Sequence, residues 1–381
     1  MLYLDNSATT MPYPEVMSVY AKATEVYFAN PSSLHKLGSE AESLLNQSRK
    51  QVALLLGVEQ QEVIFTSGGT EGNNLAIKGA ALANQHKGKH LITSMVEHPS
   101  VLESFRQLER FFDFEVTYLP VDGDGFVSIE HMIRALRDDT ILVSIMHVNN
   151  EVGSIQPIAE IGQILKSYSN VLFHVDNVQG MTKVPLNLKN ANIDLCTISG
   201  HKFHGLNGTG ALYVREGVQL LPLFSGGSQE RQLRSGTESL AGNVALAKAL
   251  RMASEKAEHH SIRLKQTRDK LLEELMNIDG VIVNTPIKHA APHIINFSVP
   301  AVKAEVLIHF LGEHNIFVST TSACSSRRKA ISNTLIAMNK HQDIAKSAIR
   351  VSLSLEQTEE IIPPFITTLS KGIEKLAKVM R

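Results

Sequence analysis

VLFHVDNVQGMTKVPLNLKNANIDLCTISGHKFHGLNGTGALYV, residues 171–214, carries three short apolar runs, VLFHVD, IDLCTIS and GALYV, set apart by Gly-, Asn- and Lys-bearing stretches. Runs of that length rich in Val, Ile and Leu read as strands buried on both faces. Working back toward the N-terminus, the pattern recurs in TILVSIMHV, FEVTYLP, HLITS and EVIFTS, alternating with helical patterns from about residue 60 to 215. That alternation predicts an α/β fold: a mostly parallel sheet with helices on both faces. Ligands of such sheets bind beyond the carboxyl ends of the strands, so the polar residues that follow these runs are the functional candidates.

After residue 238 an Ala- and Leu-rich pattern reaches about residue 277 and predicts a connecting helix with a break or bend on the way. The last hundred or so residues give strand-like VIVNT, HIINFSV and IFVST, helix-like AEVLIHFLGEH, then AIRVSLS and a terminal helix, an α+β pattern. With 381 residues, 43% of them hydrophobic and 20% charged, the chain can bury a large core in two or three domain-sized units. Its 37 basic and 38 acidic side chains give no global field toward nucleic acid or an anionic membrane, so neither is an expected partner. The start, MLYLDNSATT, has no secretion-signal pattern, and no apolar run nears the roughly 20 residues of a membrane span; the cytoplasm is the expected location.

Five strand ends carry chemistry. TSGGTEGNN, residues 66–74, ends a strand in glycines and opens a helix with Thr70, which builds an anion site from free N–H groups and a hydroxyl, though such turns also occur as plain caps. It matches neither a P-loop nor GxGxxG. HVDNVQ, residues 174–179, puts Asp176 at the end of an apolar strand, either as a cap or as the partner of a cation such as a protonated pyridine nitrogen. DLCTISGHKFHG, residues 194–205, puts Ser199, His201 and Lys202 behind another buried strand, where a partly desolvated lysine can form a Schiff base with an aldehyde. His98 follows HLITS and can stack on a flat ring and relay protons; Asn149 follows TILVSIMHV and can hold a ring hydroxyl or a carboxylate. Each alone has an ordinary structural reading. Together they place a phosphate cradle, an acid, an amine and an imidazole at one edge of one sheet.

The two cysteines, Cys196 and Cys324, are too few for a disulfide framework and lack metal-site spacing. Cys196 lies in an apolar strand and reads as a small buried thiol. Cys324 lies in STTSACSSRRK, residues 319–329, beside Arg327, Arg328 and Lys329, and reads either as an exposed loop thiol or as a reactive thiolate. The basic run itself is either a solvated loop or a patch that steers an acidic acceptor protein.

FTSGGTE, EHPSVL, HVNNEVG, HVDNVQ, SGHK, RSGTES and SAC, spread over nearly the whole chain, resemble the cysteine desulfurases of the NifS and IscS kind, within the class V aminotransferase group. The resemblance implies a type I pyridoxal-phosphate fold, with a large domain at 14–255 and a small domain formed by 1–13 and 256–381. It implies pyridoxal 5'-phosphate held covalently by Lys202, its ring nitrogen paired with Asp176, its ring hydroxyl bonded by Gln179 and its ring stacked on by His98. Gly69, Thr70, Ser199 and His201 would bind the phosphate, joined by Thr237 from the second subunit of a homodimer. Asn149 and Arg350 would grip the carboxylate of L-cysteine, and Cys324 would take its sulfur as a persulfide for an acceptor protein. Iron-sulfur scaffolds and the sulfurtransferases of thiamine or tRNA thiolation are the acceptors implied. Where the family usually has glycine, alanine and glycine this chain has Thr321, Asn177 and Ser354. A selenocysteine lyase or a transaminase of the same fold would share the cofactor residues but not the role of Cys324; a non-catalytic sulfur carrier would need neither Lys202 nor Asp176.

Overall fold

The computed structural model describes residues 1–320 and 331–379 and bears out the α/β reading. Seven strands form the main sheet: β1 (Val63–Thr66), β2 (His90–Ser94), β3 (Glu115–Leu119), β4 (Thr140–Ser144), β5 (Leu172–Asp176), β6 (Leu195–Ser199) and β7 (Gly210–Val214). Their spatial order is β1-β7-β6-β5-β4-β2-β3, and β7 alone runs against the rest. The carboxyl ends of β1 to β6 therefore share one edge.

The two-residue period of a strand sorts the side chains between two apolar layers. Phe65, Val143, Phe173, Val175, Cys196 and Ile198 face one layer, completed by α1 (Pro14–Val26), α2 (Lys36–Leu56) and the long helix Leu240–Met276. Ile64, Leu91, Leu142, Leu172, Leu195 and Leu212 face the other, completed by α3 (Gly69–Asn84) and α4 (Pro99–Phe112). This double burial is why the strands read as continuous apolar runs. Cys196 lies inside the first layer, and burial pushes its thiol pKa up, as befits an inert thiol.

The helix expected to break between residues 238 and 277 is continuous from Leu240 to Met276. Beyond Gly242 it contains neither Gly nor Pro, so nothing in it forces a kink. It begins in the first layer, with Leu246 and Leu250, and ends in a separate core with Leu264, Leu271 and Leu275. That core is built on a four-stranded antiparallel sheet of Ser319–Thr320, Ala348–Ser352, Ile294–Ser298 and Ile282–Val283. Leu2–Tyr3 joins the same region, pairing in parallel with Ile316–Phe317, and residues 5–8 then pass to the carboxyl edge of the main sheet. Among the described residues no helix is long and apolar enough to cross a membrane.

Candidate active site

Beyond that carboxyl edge lies a cavity of about 290 Å³ bordered by Thr70, His98, Asn150, Asp176, Gln179 and Lys202 among others. A second hollow of about 290 Å³ shares Gly69, Thr70, Ser199 and His201 with it and opens at the start of α3. Gly68, at φ 145°, turns the chain from β1 into α3 in a conformation that side chains disfavour. At Gly69 an added Cβ would stand 2.9 Å from Val178 Cγ2 and 3.5 Å from Ser199 Cβ, so only glycine lets the helix start approach the wall so closely. Its first N–H groups have no partners within the helix and carry the positive end of its dipole.

Asp176 is 5% exposed, and both its oxygens are held. Asn73 donates to Oδ2 at 2.7 Å and the backbone N–H of Val178 to Oδ1 at 3.0 Å. The same Asn73 amide donates to Ser100 Oγ at 2.9 Å, and Ser100 Oγ lies 2.8 Å from His98 Nδ1. Because the backbone N–H of Ser100 also donates to Nδ1, at 3.2 Å, that nitrogen is the acceptor and Nε2 carries the proton of the neutral ring. Burial lowers the His98 pKa, with Lys202 adding to the shift and Asp176 opposing it. His201 is driven down to about 4, by burial first and then by Lys202, His98 and Lys183. Both imidazoles are thus neutral near pH 7.

Lys202 Nζ donates to the carbonyls of Ser7 at 2.5 Å and Ala8 at 2.9 Å. Gln179 donates to the same Ser7 carbonyl at 3.0 Å. Behind Lys202, the Nζ of Lys183 donates to its carbonyl at 2.7 Å, and burial, helped by the charge of Lys202, brings the Lys183 amine down to about 7.

Two expected residues stand elsewhere. Asn149 is turned away from the cavity: its amide donates to the Val96 carbonyl at 2.9 Å, and its Oδ1 accepts from Glu151 and Val152, both at 2.9 Å. Its neighbour Asn150, in the turn that follows, borders the cavity instead. Arg350 does not border the cavity; Nη1 donates to the Asn150 carbonyl at 2.9 Å and Nη2 to Asp5 at 3.0 Å. Thr237 is exposed ahead of the long helix and borders neither hollow of its own chain. Cys324, with Thr321, lies outside the described residues. Asn177, where alanine is usual, accepts from His147 Nδ1 at 2.8 Å and adds no charge beside Asp176.

Sequence reasoning missed Asn73, Ser100, Asn150, Lys183 and the segment 5–8. Asn73 was within reach of it, one helical turn beyond Gly69 and Thr70 and so on their face. Segment 5–8 was not, because its place is set by pairing with the far end of the chain.

Residues 2–364 match the class-V aminotransferase family. The chain belongs to that family. Its members depend on pyridoxal phosphate, and the residues here fit that group: hydroxyls, an imidazole and a helix start at one end, a carboxylate and an amine at the other, with a glycine cradle between Val178 and Ser199. The chain is 46% identical over its full length to a NifS/IcsS protein homolog of Lactobacillus delbrueckii, covering 99% of that protein. It is 43% identical over 99% of its length to the cysteine desulfurase IscS of Dictyoglomus turgidum, covering 96% of that protein. Among solved structures, a NifS-like protein superposes with a TM-score of 0.92 at 36% identity, covering 98% of this chain and 100% of that one. A structure described as SspA in complex with cysteine gives 0.82 at 33% identity, covering 94% and 100%. The resemblance read from the sequence and these full-length relatives agree on the cysteine desulfurase type.

Proposed function

We propose that the protein is a pyridoxal-phosphate-dependent cysteine desulfurase that releases L-alanine and carries the sulfur as a persulfide on Cys324. The observation that carries this reading is one cavity bringing together Lys202, Asp176 and His98 beside the glycine-started helix. Relatives over 40% identical that bear the desulfurase name support it. Bound pyridoxal phosphate supplies an electron sink for carbanion chemistry at the amino-acid substrate.

The rest is done by the chain. Lys202 would hold the cofactor covalently, and its amine would move the substrate α-proton. Asp176, kept in place by Asn73 and the Val178 N–H, would pair with the pyridine nitrogen and keep it protonated. His98 would stack on the ring and offer Nε2–H as a donor. Thr70, Ser199, His201 and the start of α3 take the phosphate, and Gln179 the ring hydroxyl. Arg350 takes the substrate carboxylate; we assign the role expected of Asn149 to Asn150, which borders the cavity. Cys324 as thiolate attacks the substrate sulfur: an S–S bond forms, the C–S bond breaks with its electron pair on carbon, and protonation there yields alanine.

The reading includes a homodimer in which Thr237 completes the partner's phosphate site, a large unit of 14–255 and a small unit of 1–13 with 256–381. It also includes a protein acceptor of the sulfur, such as an iron-sulfur scaffold or a sulfurtransferase. A reducing compartment such as the cytoplasm suits a thiol that must stay free. The test is release of alanine and sulfide from L-cysteine by the loaded protein with a thiol reductant. Equal yields, indifferent to added pyruvate or glyoxylate, are expected; a keto-acid requirement would point to a transaminase and end this reading.

A further inference from the structure

Arg350, proposed to take the substrate carboxylate, does not border the cavity, and its guanidinium is held by two contacts. Its side chain is 4% exposed, with Nη1 on the Asn150 carbonyl and Nη2 on Asp5 Oδ1. Its Nε is buried and finds no partner among the described residues. Two of its five N–H groups are held by these contacts and the side chain does not border the cavity, so turning the guanidinium toward a carboxylate arriving there means giving up a contact. The Asn150 contact is to backbone in a buried turn. The Asp5 contact is to a rotatable side chain that keeps 20% exposure. Keeping Asp5 in place would crowd two carboxylates onto one buried guanidinium, which like-charge repulsion opposes. Burial already raises the Asp5 carboxyl above the ordinary value although Arg350 pulls it down, so its charged form sits there at a cost. The segment that carries Asp5 is fastened at the other cation too, through the Ser7 and Ala8 carbonyls on Lys202.

We propose that Asp5 is an internal stand-in for the substrate's α-carboxylate: it holds Arg350 in the substrate-free protein and yields it to the incoming carboxylate. The inference rests on the desulfurase reading for the role of Arg350 and adds a determinant of substrate affinity to it. Removing the stand-in charge strengthens binding of a carboxylate ligand, which loss of a merely structural contact does not do.

The experiment is spectrophotometric titration of pyridoxal-phosphate-loaded wild-type protein, Asp5→Asn and Asp5→Ser with L-alanine and with L-alaninamide. Both variants are expected to bind L-alanine about three- to tenfold tighter than wild type, while the uncharged amide changes by less than about twofold. Unchanged or weaker alanine binding, or equal tightening of the amide, overturns the proposal. Should neither variant fold, hydrogen exchange of the wild-type protein decides: saturation with L-alanine is expected to speed exchange over residues 1–9, and unchanged or slower exchange overturns it. A wild-type spectrum that answers to neither ligand overturns the desulfurase reading itself and the inference with it. Failure of the Asp5 role alone looks different, with a wild type that responds and variants that gain nothing.

Discussion

At the scale of single residues, the site is a relay of short hydrogen bonds from Asp176 through Asn73 and Ser100 to His98. Asn73 has the pivotal place, because one amide group donates both to the acid and to the serine that orients the imidazole. Asn73→Ala removes a bond to a buried carboxylate, a loss of about 1.5–3 kcal/mol, and is expected to cut kcat about tenfold or more while the protein still binds cofactor. Steady-state kinetics with cofactor absorbance checks it. Lys202→Ala is expected to abolish turnover and the absorbance of covalently attached cofactor, whereas Cys324→Ala keeps that absorbance and loses sulfur transfer. At this scale the sequence was informative where a residue type is chemically odd for its place, as with a lysine and an aspartate behind buried strands. It was uninformative where chemistry is shared: nothing in HVNNE says which asparagine turns inward, and only the bonds of Asn149 to Val96, Glu151 and Val152 decide it.

At the scale of elements, the strand ends and helix starts do the positioning, and two buried acids show how they are held. Glu97, between β2 and α4, accepts from Ser94 at 2.6 Å and Met146 at 2.9 Å on one oxygen, while its other oxygen is buried without a partner among the described residues. Burial pushes its pKa up to about 8. A carboxyl whose pKa is higher in the folded than in the unfolded state loses stability as pH rises from the unfolded value toward the folded one. Glu97→Gln is therefore expected to flatten the fall in stability between about pH 4.5 and about pH 8, as measured by denaturant unfolding across that range. Glu230 is the second. It forms a two-pronged pair with Arg49 at 2.6 and 2.7 Å and accepts the Phe65 N–H at 2.9 Å, which ties the segment ahead of Thr237 to β1. The pair also stabilises left-handed backbone at Glu230, Arg231 and Gln232, φ 43°, 56° and 65°. Arg49→Met leaves that carboxylate buried and unpaired, and the melting temperature is expected to fall by about 5 °C or more. The strands themselves were legible because burial on both faces makes them apolar throughout. The unbroken long helix was not, since its middle is polar and its two ends serve different cores.

At the scale of the molecule, the N-terminal segment unites the parts. Leu2–Tyr3 is paired into the smaller sheet, Asp5 reaches Arg350, the carbonyls of Ser7 and Ala8 reach Lys202, and Val16 is in the first apolar layer. No local pattern in MLYLDNSATT announces this, because it depends on residues between 194 and 345 positions away. The proposed dimer predicts complementation: mixing Lys202→Ala with Thr237→Ala protein under subunit exchange is expected to produce one intact site per mixed dimer and restore activity above either parent. Sulfur from L-cysteine is expected to end on Cys324, and mass spectrometry after turnover without reductant reads that transfer. The peptide holding Cys324 is expected to gain the mass of one sulfur atom in the loaded wild-type protein and none in Lys202→Ala; alanine formed with no sulfur on that peptide would contradict the account.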